Sequence, residues 1–322
     1  MIEIIRSGFH TTIQDYPGRI GYWNVGIPPS GPMDGLSFRM ANRLVGNSDT
    51  DAGLEMTLMG PKIKFTRDAM VAFTGAEMAA TLNGRTIPWW QSIYVEKGSV
   101  VDIGALSGEG CRAYMAVKGG FDVPEYLGSR STFPKGGFGG HTASPLLACG
   151  TRIGLSDDCG RDCTARCLEG RKIPRYGTTW VVGAVPGPHY APDFFTCETV
   201  EMFYDTPWRV HHNSNRLGYR LEGPTPCFSR PDGGEGGSHP SNLIDYPYAV
   251  GTVNVSGNLP VILTVDGPSL GGFISIATIA TSDLWKIGQA KPHDHICFEN
   301  ITPEAAVNRL AAGERFLNEI NA

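Results

Sequence analysis

The sequence predicts a mostly-β chain of barrels or sandwiches with a few helices. Three observations predict it. Short β-rich runs recur between turn signals, Gly and Pro are abundant at 42 and 23 residues, and long amphipathic helical patterns are scarce. The N-terminus, Met1-Ile-Glu-Ile-Ile-Arg, reads as a strand. Further strands are expected at Met70–Thr74, Ser92–Val95, Ala113–Val117, Trp180–Val185, Thr199–Tyr204, Pro260–Thr264 and His295–Glu299. One helix should start after Pro32-Met33-Asp34, carry Leu36, Met40 and Leu44 on one stripe, and end at Gly46-Asn47. A second should span Thr302–Ile320, because Thr302 suits an N-cap, Pro303 the first turn and Glu304 the helix dipole. Asp283–Ile287 is expected to add a short helical turn. The charged, Gly-containing stretch Asp157–Arg175, with Pro174 near its end, marks the domain boundary. It leaves domains at 1–156 and 176–322, with 157–175 as an insertion.

At 322 residues the chain can bury one large core or two of ordinary size. A net charge of -5 with no basic stripe argues against nucleic acid. No run of 18 apolar residues occurs, and the N-terminal strand lacks the pattern of a signal peptide, so a cytoplasmic protein is expected. Among eight cysteines, Cys159, Cys163 and Cys167 form C-x3-C-x3-C. Thiolates at short spacing can share an ion, yet no fourth ligand follows at zinc-finger spacing, so no metal is expected. The other cysteines are expected to be small buried residues.

Four stretches concentrate polar chemistry. The densest runs from Asn213 to Asn242 and holds Asn213, Asn215, Arg216, Arg220, Asp232, Glu235, His239 and Asn242. From Gly223 onward it carries five glycines and four prolines, the composition of an ordered loop rather than a floppy one. The second, Thr11–Asp34, sets Gln14, Asp15, Arg19, Ser30 and Asp34 among turn formers, with Tyr16, Tyr22 and Trp23 as flat apolar surface. The third is Lys118-Gly119-Gly120, where backbone can approach a ligand and Lys118 can hold an anion; a β-bulge with an exposed lysine is the plain alternative. In the fourth, Asp266 precedes the Gly-rich turn G-P-S-L-G-G-F, either as an acceptor or as a turn cap. H-E-x-x-H, G-x-S-x-G around Ser30, a P-loop and an obvious Ser-His-Asp order are all absent, which disfavours a hydrolase or metalloenzyme.

Taken together, several long motifs resemble one family. They are T-T-I-Q-D-Y-P-G-R-I-G-Y-W-N-V-G-I-P-P-S-G-P-M-D, K-G-G-F-D-V-P-E-Y-L-G-S-R-S-T-F, P-G-P-H-Y-A-P-D-F-F, N-S-N-R-L-G-Y-R-L-E-G-P, R-P-D-G-G-E-G-G-S-H-P-S-N and D-G-P-S-L-G-G-F. They are similar to the carboxyltransferase domain of urea carboxylase and to free-standing proteins called allophanate hydrolase subunit 2, among them a 5-oxoprolinase subunit. The resemblance covers nearly the whole chain except Asp157–Arg175. One departure is that His141 is followed by Thr142-Ala143-Ser144-Pro145 rather than a Gly-Arg pair.

The resemblance implies two cyclophilin-like β-barrel domains and half of a biotin-dependent carboxyltransferase. The other half would be a subunit-1-type partner, with a biotin carboxylase and a biotin carrier completing the system. No A-M-K-M and no ATP-binding signature occurs in the sequence, so carboxybiotin would arrive on the carrier. For carboxyl transfer to a urea-like nitrogen, Asn215 and Arg216 are expected to stabilise developing charge. Glu235 or Asp266 is expected to accept substrate N–H bonds, with Lys118 also a candidate. Asn213, His239, Asp232, Gln14, Asp15, Ser30 and above all Asn242 are the expected substrate-binding residues; for Asn242 a turn cap after Pro240 is the alternative. Two rivals are a 5-oxoprolinase component and a non-enzymatic regulator of the kinase-inhibitor-associated type.

Overall fold

In the computed structural model, residues 1–141, 145–156 and 165–321 are described. Cys159, Cys163 and residues 142–144 lie outside them. The chain divides into two compact units. The first comprises Met1–Ile20, Pro29–Gly177 and Leu317–Ala322, the second Gly21–Pro28 and Thr178–Phe316.

The first unit holds two sheets. One has seven strands in the order Phe121–Asp122, Arg152–Leu155, Ile2–Arg6, Lys62–Phe65, Val100–Leu106, Met78–Leu82, Arg85–Thr86. The other has five, in the order His10–Gln14, Gly53–Thr57, Arg112–Val117, Ala69–Gly75, Ser92–Val95. Ile2, Ile4, Ile63 and Val101 from the first sheet and Ile13, Leu54, Val71 and Phe73 from the second share one core. Period-two alternation lets the central strands serve a second core. Val71 and Phe73 face the first, while Met70 and Ala72 face helix α1, Gly35–Leu44. Asp34 caps α1 by accepting from Ser37 N at 2.9 Å, and Gly46, at φ 79°, takes the left-handed turn beyond its end. The stripe of α1 that packs on the sheet is Phe38, Ala41 and Leu44, with Val45 just beyond, rather than the expected Leu36–Met40–Leu44.

In the second unit seven strands close a barrel. Their order is Thr179–Pro186, Ser275–Ile279, Thr252–Ser256, Leu259–Leu263, Gly218–Glu222, Trp208–Val210, His295–Asn300. The ring closes through a parallel pairing of Thr179–Pro186 with His295–Asn300, which leaves no free edge. The unit also holds helices α2 (Cys197–Asp205) and α3 (Leu284–Gln289), all but the last two residues of α4 (Pro303–Asn318), and a two-stranded sheet of Asn242–Pro247 with Leu270–Phe273.

Mostly-β architecture is therefore observed, and all the expected strands but one are found. Thr199–Tyr204 is helical. Thr196 Oγ1 accepts from Thr199 N at 3.2 Å, an N-cap that starts α2, and Phe203 stacks on Phe298 with ring centroids 4.4 Å apart. The cysteines also need correcting. Cys111 is buried, but Cys149, Cys197 and Cys227 are exposed. Cys197 lies in the first turn of α2, and Cys227 in a Pro-flanked loop, positions that face water.

Candidate functional site

The segment Asn213–Gly218 enters the strand Gly218–Glu222, which pairs with Leu259–Leu263 so that Arg220 lies opposite Val261. Strand alternation turns Tyr219 and Leu221 into the barrel, 2% and 0% exposed, and Arg220 outward. A cavity of about 680 Å³ forms there, with Asn213, Ser214, Asn215 and Arg220 on its polar side and Val261 and Leu263 on its apolar side. Local bonds shape the loop. Asn215 Oδ1 accepts from Leu217 N at 2.8 Å, and Ser214 Oγ accepts from Arg220 N at 3.2 Å. The Asn215 Nδ2, the Asn213 side-chain amide and the Arg220 guanidinium make no hydrogen bond with any described residue. The wall therefore presents N–H donors, which suit a carbonyl or carboxylate oxygen.

Arg216 and Asp266, both expected near substrate, are paired with each other. Arg216 Nε and Nη2 donate to Asp266 Oδ2 and Oδ1 at 2.8 and 3.2 Å, and the residues are 5% and 3% exposed. Asp266 N in turn donates to Arg216 O at 3.0 Å, and Thr264 Oγ1 to the same carbonyl. This bidentate pair fixes the cavity loop to the turn that follows Leu259–Leu263.

The rest of the dense stretch forms a second constellation. Asp232 Oδ1 accepts from Gly234 N at 2.9 Å and shapes the 3-10 turn Gly234–Gly236, on which Glu235 is exposed. His239 Nδ1 accepts from Ser241 N at 3.1 Å, so the neutral ring carries its proton on Nε2. Asn242 opens the strand Asn242–Pro247; its Oδ1 lies 3.4 Å from Ser241 Oγ, and its Nδ2 has no described acceptor. Arg230 holds this loop through Nε to Pro240 O at 2.8 Å and Nη2 to Asn242 O. Its guanidinium lies 5.0 Å from the centroid of the Phe194 ring.

Four candidates belong to the first unit. Gln14, 0% exposed, donates from Nε2 to Thr12 Oγ1 and Thr132 O at 3.0 and 3.2 Å, while its Oε1 has no partner. Asp15 accepts from Ser129 Oγ, Ser131 Oγ and Arg130 N at 2.6, 2.5 and 2.6 Å and so ties down the segment Ser129–Ser131. Ser30 is 1% exposed at φ 56°, and its Oγ is unpartnered. Lys118 precedes Gly119 and Gly120, at φ 76° and 74°, which border a cavity of about 440 Å³ with Arg130.

Two residues outside the expected site come forward in the structure. Arg220 stands within the dense stretch, and the alternation of its strand is the sequence signal that turns it toward the cavity. His189 follows a Pro-Gly-Pro turn at a strand end and lies at ring-centroid distances of 4.8 Å from Phe194 and 4.5 Å from Tyr246. Among the described residues, no group of three or more His, Cys, Asp or Glu side chains is placed to hold a metal ion. None of the described helices is long and apolar enough to cross a membrane.

Comparison with known proteins matches residues 25–300 to the family model "Carboxyltransferase domain, subdomain A and B". Urea amidolyase of Saccharomyces cerevisiae is 47% identical over 310 residues, covering 95% of this chain and 17% of that protein. A 5-oxoprolinase subunit of Escherichia coli is 32% identical over 321 residues, covering 99% of this chain and 97% of that one. The crystal structure of K. lactis urea amidolyase superposes with a TM-score of 0.95 at 42% identity, covering 99% of this chain and 20% of that chain. The chain thus spans 17% of the Saccharomyces cerevisiae urea amidolyase and 20% of the K. lactis one.

Proposed function

This chain belongs to the carboxyltransferase-domain family, subdomains A and B, and we propose that it is one component of a biotin-dependent carboxylase that moves CO2 from carboxybiotin to a urea-like nitrogen. In this reading a subunit-1-type partner supplies the other half of the site, and a biotin carboxylase and a biotin carrier deliver the carboxyl group. The observation that carries the reading is the wall of unpartnered donors, Asn213, Asn215 and Arg220, along the 680 Å³ cavity. An amide nitrogen is a poor nucleophile, so the protein's contribution is orientation and stabilisation of developing negative charge.

The cavity suits a ureido ligand. Its volume falls within the roughly 300–1,000 Å³ of small-molecule sites, and its donor wall faces the apolar side chains of Val261 and Leu263. When bound, carboxybiotin would supply the activated carboxyl group, and the biotin nitrogen freed by its loss would take the proton that the substrate nitrogen gives up. Asn213, Asn215 and Arg220 would hold the carbonyl oxygen of the substrate. Arg216 and Asp266 would position the loop that carries the asparagines. Glu235, exposed on its turn, would accept a substrate N–H, and His239 and Asn242 would complete substrate recognition.

A second reading draws on the coextensive match with the Escherichia coli 5-oxoprolinase subunit: a component of partner-dependent opening of 5-oxoproline. One assay separates the two. The chain is purified with a subunit-1-type homologue and supplied with biotin carboxylase, biotinylated carrier, ATP and bicarbonate. Urea-dependent carboxylation is expected, with Asn215→Ala and Arg220→Ala each lowering kcat/KM about ten-fold, the equivalent of about 1.4 kcal/mol. Turnover of 5-oxoproline without turnover of urea would move the chain to the second reading, and turnover of neither would overturn both.

A further inference from the structure

The strand Thr179–Pro186 leaves the barrel through Gly187-Pro188-His189. A Cβ at Gly187 would lie 2.3 Å from Ser275 O, so glycine is needed for this close approach. It lets His189 clamp onto the neighbouring strand at both ends of one residue. His189 N donates to Ser275 O at 3.2 Å, and Ser275 N donates to His189 Nδ1 at 3.0 Å. A ring nitrogen that accepts a backbone N–H carries no proton, so the neutral imidazole bears its hydrogen on Nε2. The residue is 5% exposed, and edge-to-face contacts with Phe194 and Tyr246 fix the ring plane. No described residue accepts from Nε2. Nε2 is not itself sealed from solvent, so this oriented donor stays within reach of a small ligand.

Arg230 lies against the same Phe194 ring that His189 meets edge-on, its guanidinium 5.0 Å from that ring's centroid. Burial, and then the Arg230 charge, push the His189 pKa down to about 4, so at neutral pH the ring donates a hydrogen bond without adding charge. Arg230 is itself immobilised by the carbonyls of Pro240 and Asn242 and by the face of Phe194. Together the pair carries one positive charge and a directed N–H. That combination favours an anionic oxygen over a neutral one and disfavours a cation. Resting on the carboxyltransferase reading, we propose that His189 and Arg230 form an anion subsite that receives the carboxylate of the N-carboxylated product.

The test uses the chain alone, with imidazole nitrogens labelled with 15N, and two small probes. Oxamate joins an amide to a carboxylate; oxamide is its neutral counterpart. Oxamate is expected to shift the His189 Nε2 resonance saturably, and oxamide to leave it in place. His189→Phe should weaken oxamate binding about ten-fold, and His189→Gln, which keeps an N–H, should recover most of it. Thermal unfolding reports whether each variant folds; should His189→Phe fail to fold, the titration of the native chain decides alone. An unmoved Nε2 signal at saturation, or equal response to oxamate and oxamide, overturns the subsite. This binding result is independent of turnover, so it stands apart from any failure of the carboxylation assay. In an assembled enzyme that carboxylates urea, His189→Phe should lower the rate without changing the shape of the pH profile between pH values of roughly 6 and 9. Loss of a pH limb there would identify His189 as a proton carrier and sink the proposal.

Discussion

Asn242 shows how much one side chain can decide. Urea offers a carbonyl acceptor and amide donors, whereas guanidinium offers only donors and a positive charge. The Asn242 Nδ2 has no described acceptor, while its backbone carbonyl is held by Arg230. Asn242→Asp replaces a donor with a carboxylate, which would leave a urea carbonyl facing an acceptor at a cost of about 1–3 kcal/mol. Kinetics of the assembled complex with urea and guanidine side by side should show the preference ratio moving at least about ten-fold toward guanidine. An unchanged ratio in a stably folded variant would remove Asn242 from substrate recognition. The sequence displays the polar residue types of this region but not their pairings. Arg216 and Asp266 are 50 positions apart, and their pairing depends on a strand pairing that no local pattern announces. Asp15 is similar, because its three donors lie more than 100 positions away. His189 stands in the P-G-P-H motif, yet its unused Nε2 depends on how closely Gly187 approaches Ser275.

At the scale of elements, the strands were legible because alternating apolar residues bounded by Gly and Pro have few other solutions. Helix α2 was not. Thr199, Val200, Phe203 and Tyr204 have the composition of a strand, and branched and aromatic side chains carry no strong helical preference. Two features decide for helix. Thr196 satisfies the Thr199 amide, and Phe203 finds a stacking partner in Phe298 and an edge contact in Tyr204. Glu198, in the first turn, adds a favourable charge near the helix N-terminus. Removing the cap tests this account. Thr196→Ala should destabilise the second unit by about 1 kcal/mol, read as a lower midpoint in denaturant unfolding with an unchanged slope. Thr196→Ser should recover most of the loss, since its hydroxyl can still accept. Equal stability of Thr196→Ala and the parent chain would show that the stacking of Phe203, not the cap, holds α2.

For the whole molecule, the fold class followed from strand spacing, but the composition of the compact units did not. Gly21–Pro28 groups with the second unit and Leu317–Ala322 with the first, exchanges set by tertiary contact rather than composition. Nor does a local pattern announce that a parallel pair, Thr179↔His295 through Ala184↔Asn300, closes the barrel across more than 100 residues. The same scale governs activity. Carboxyl transfer requires a carrier-borne donor, an acceptor and stabilising groups to meet in one place. Effective concentration and orientation account for much of the rate when they do. This chain supplies a wall of donors but no A-M-K-M carrier motif, and it covers only 17% and 20% of the urea amidolyases it matches. The purified chain given carboxybiotin and urea should therefore leave both unchanged. Adding a subunit-1-type partner should raise carboxylation at least about a hundred-fold, with a rate that saturates in partner concentration. Biotin-dependent carboxylation of urea by the pure chain, at a rate the partner does not increase, would show that the donor wall is a complete site.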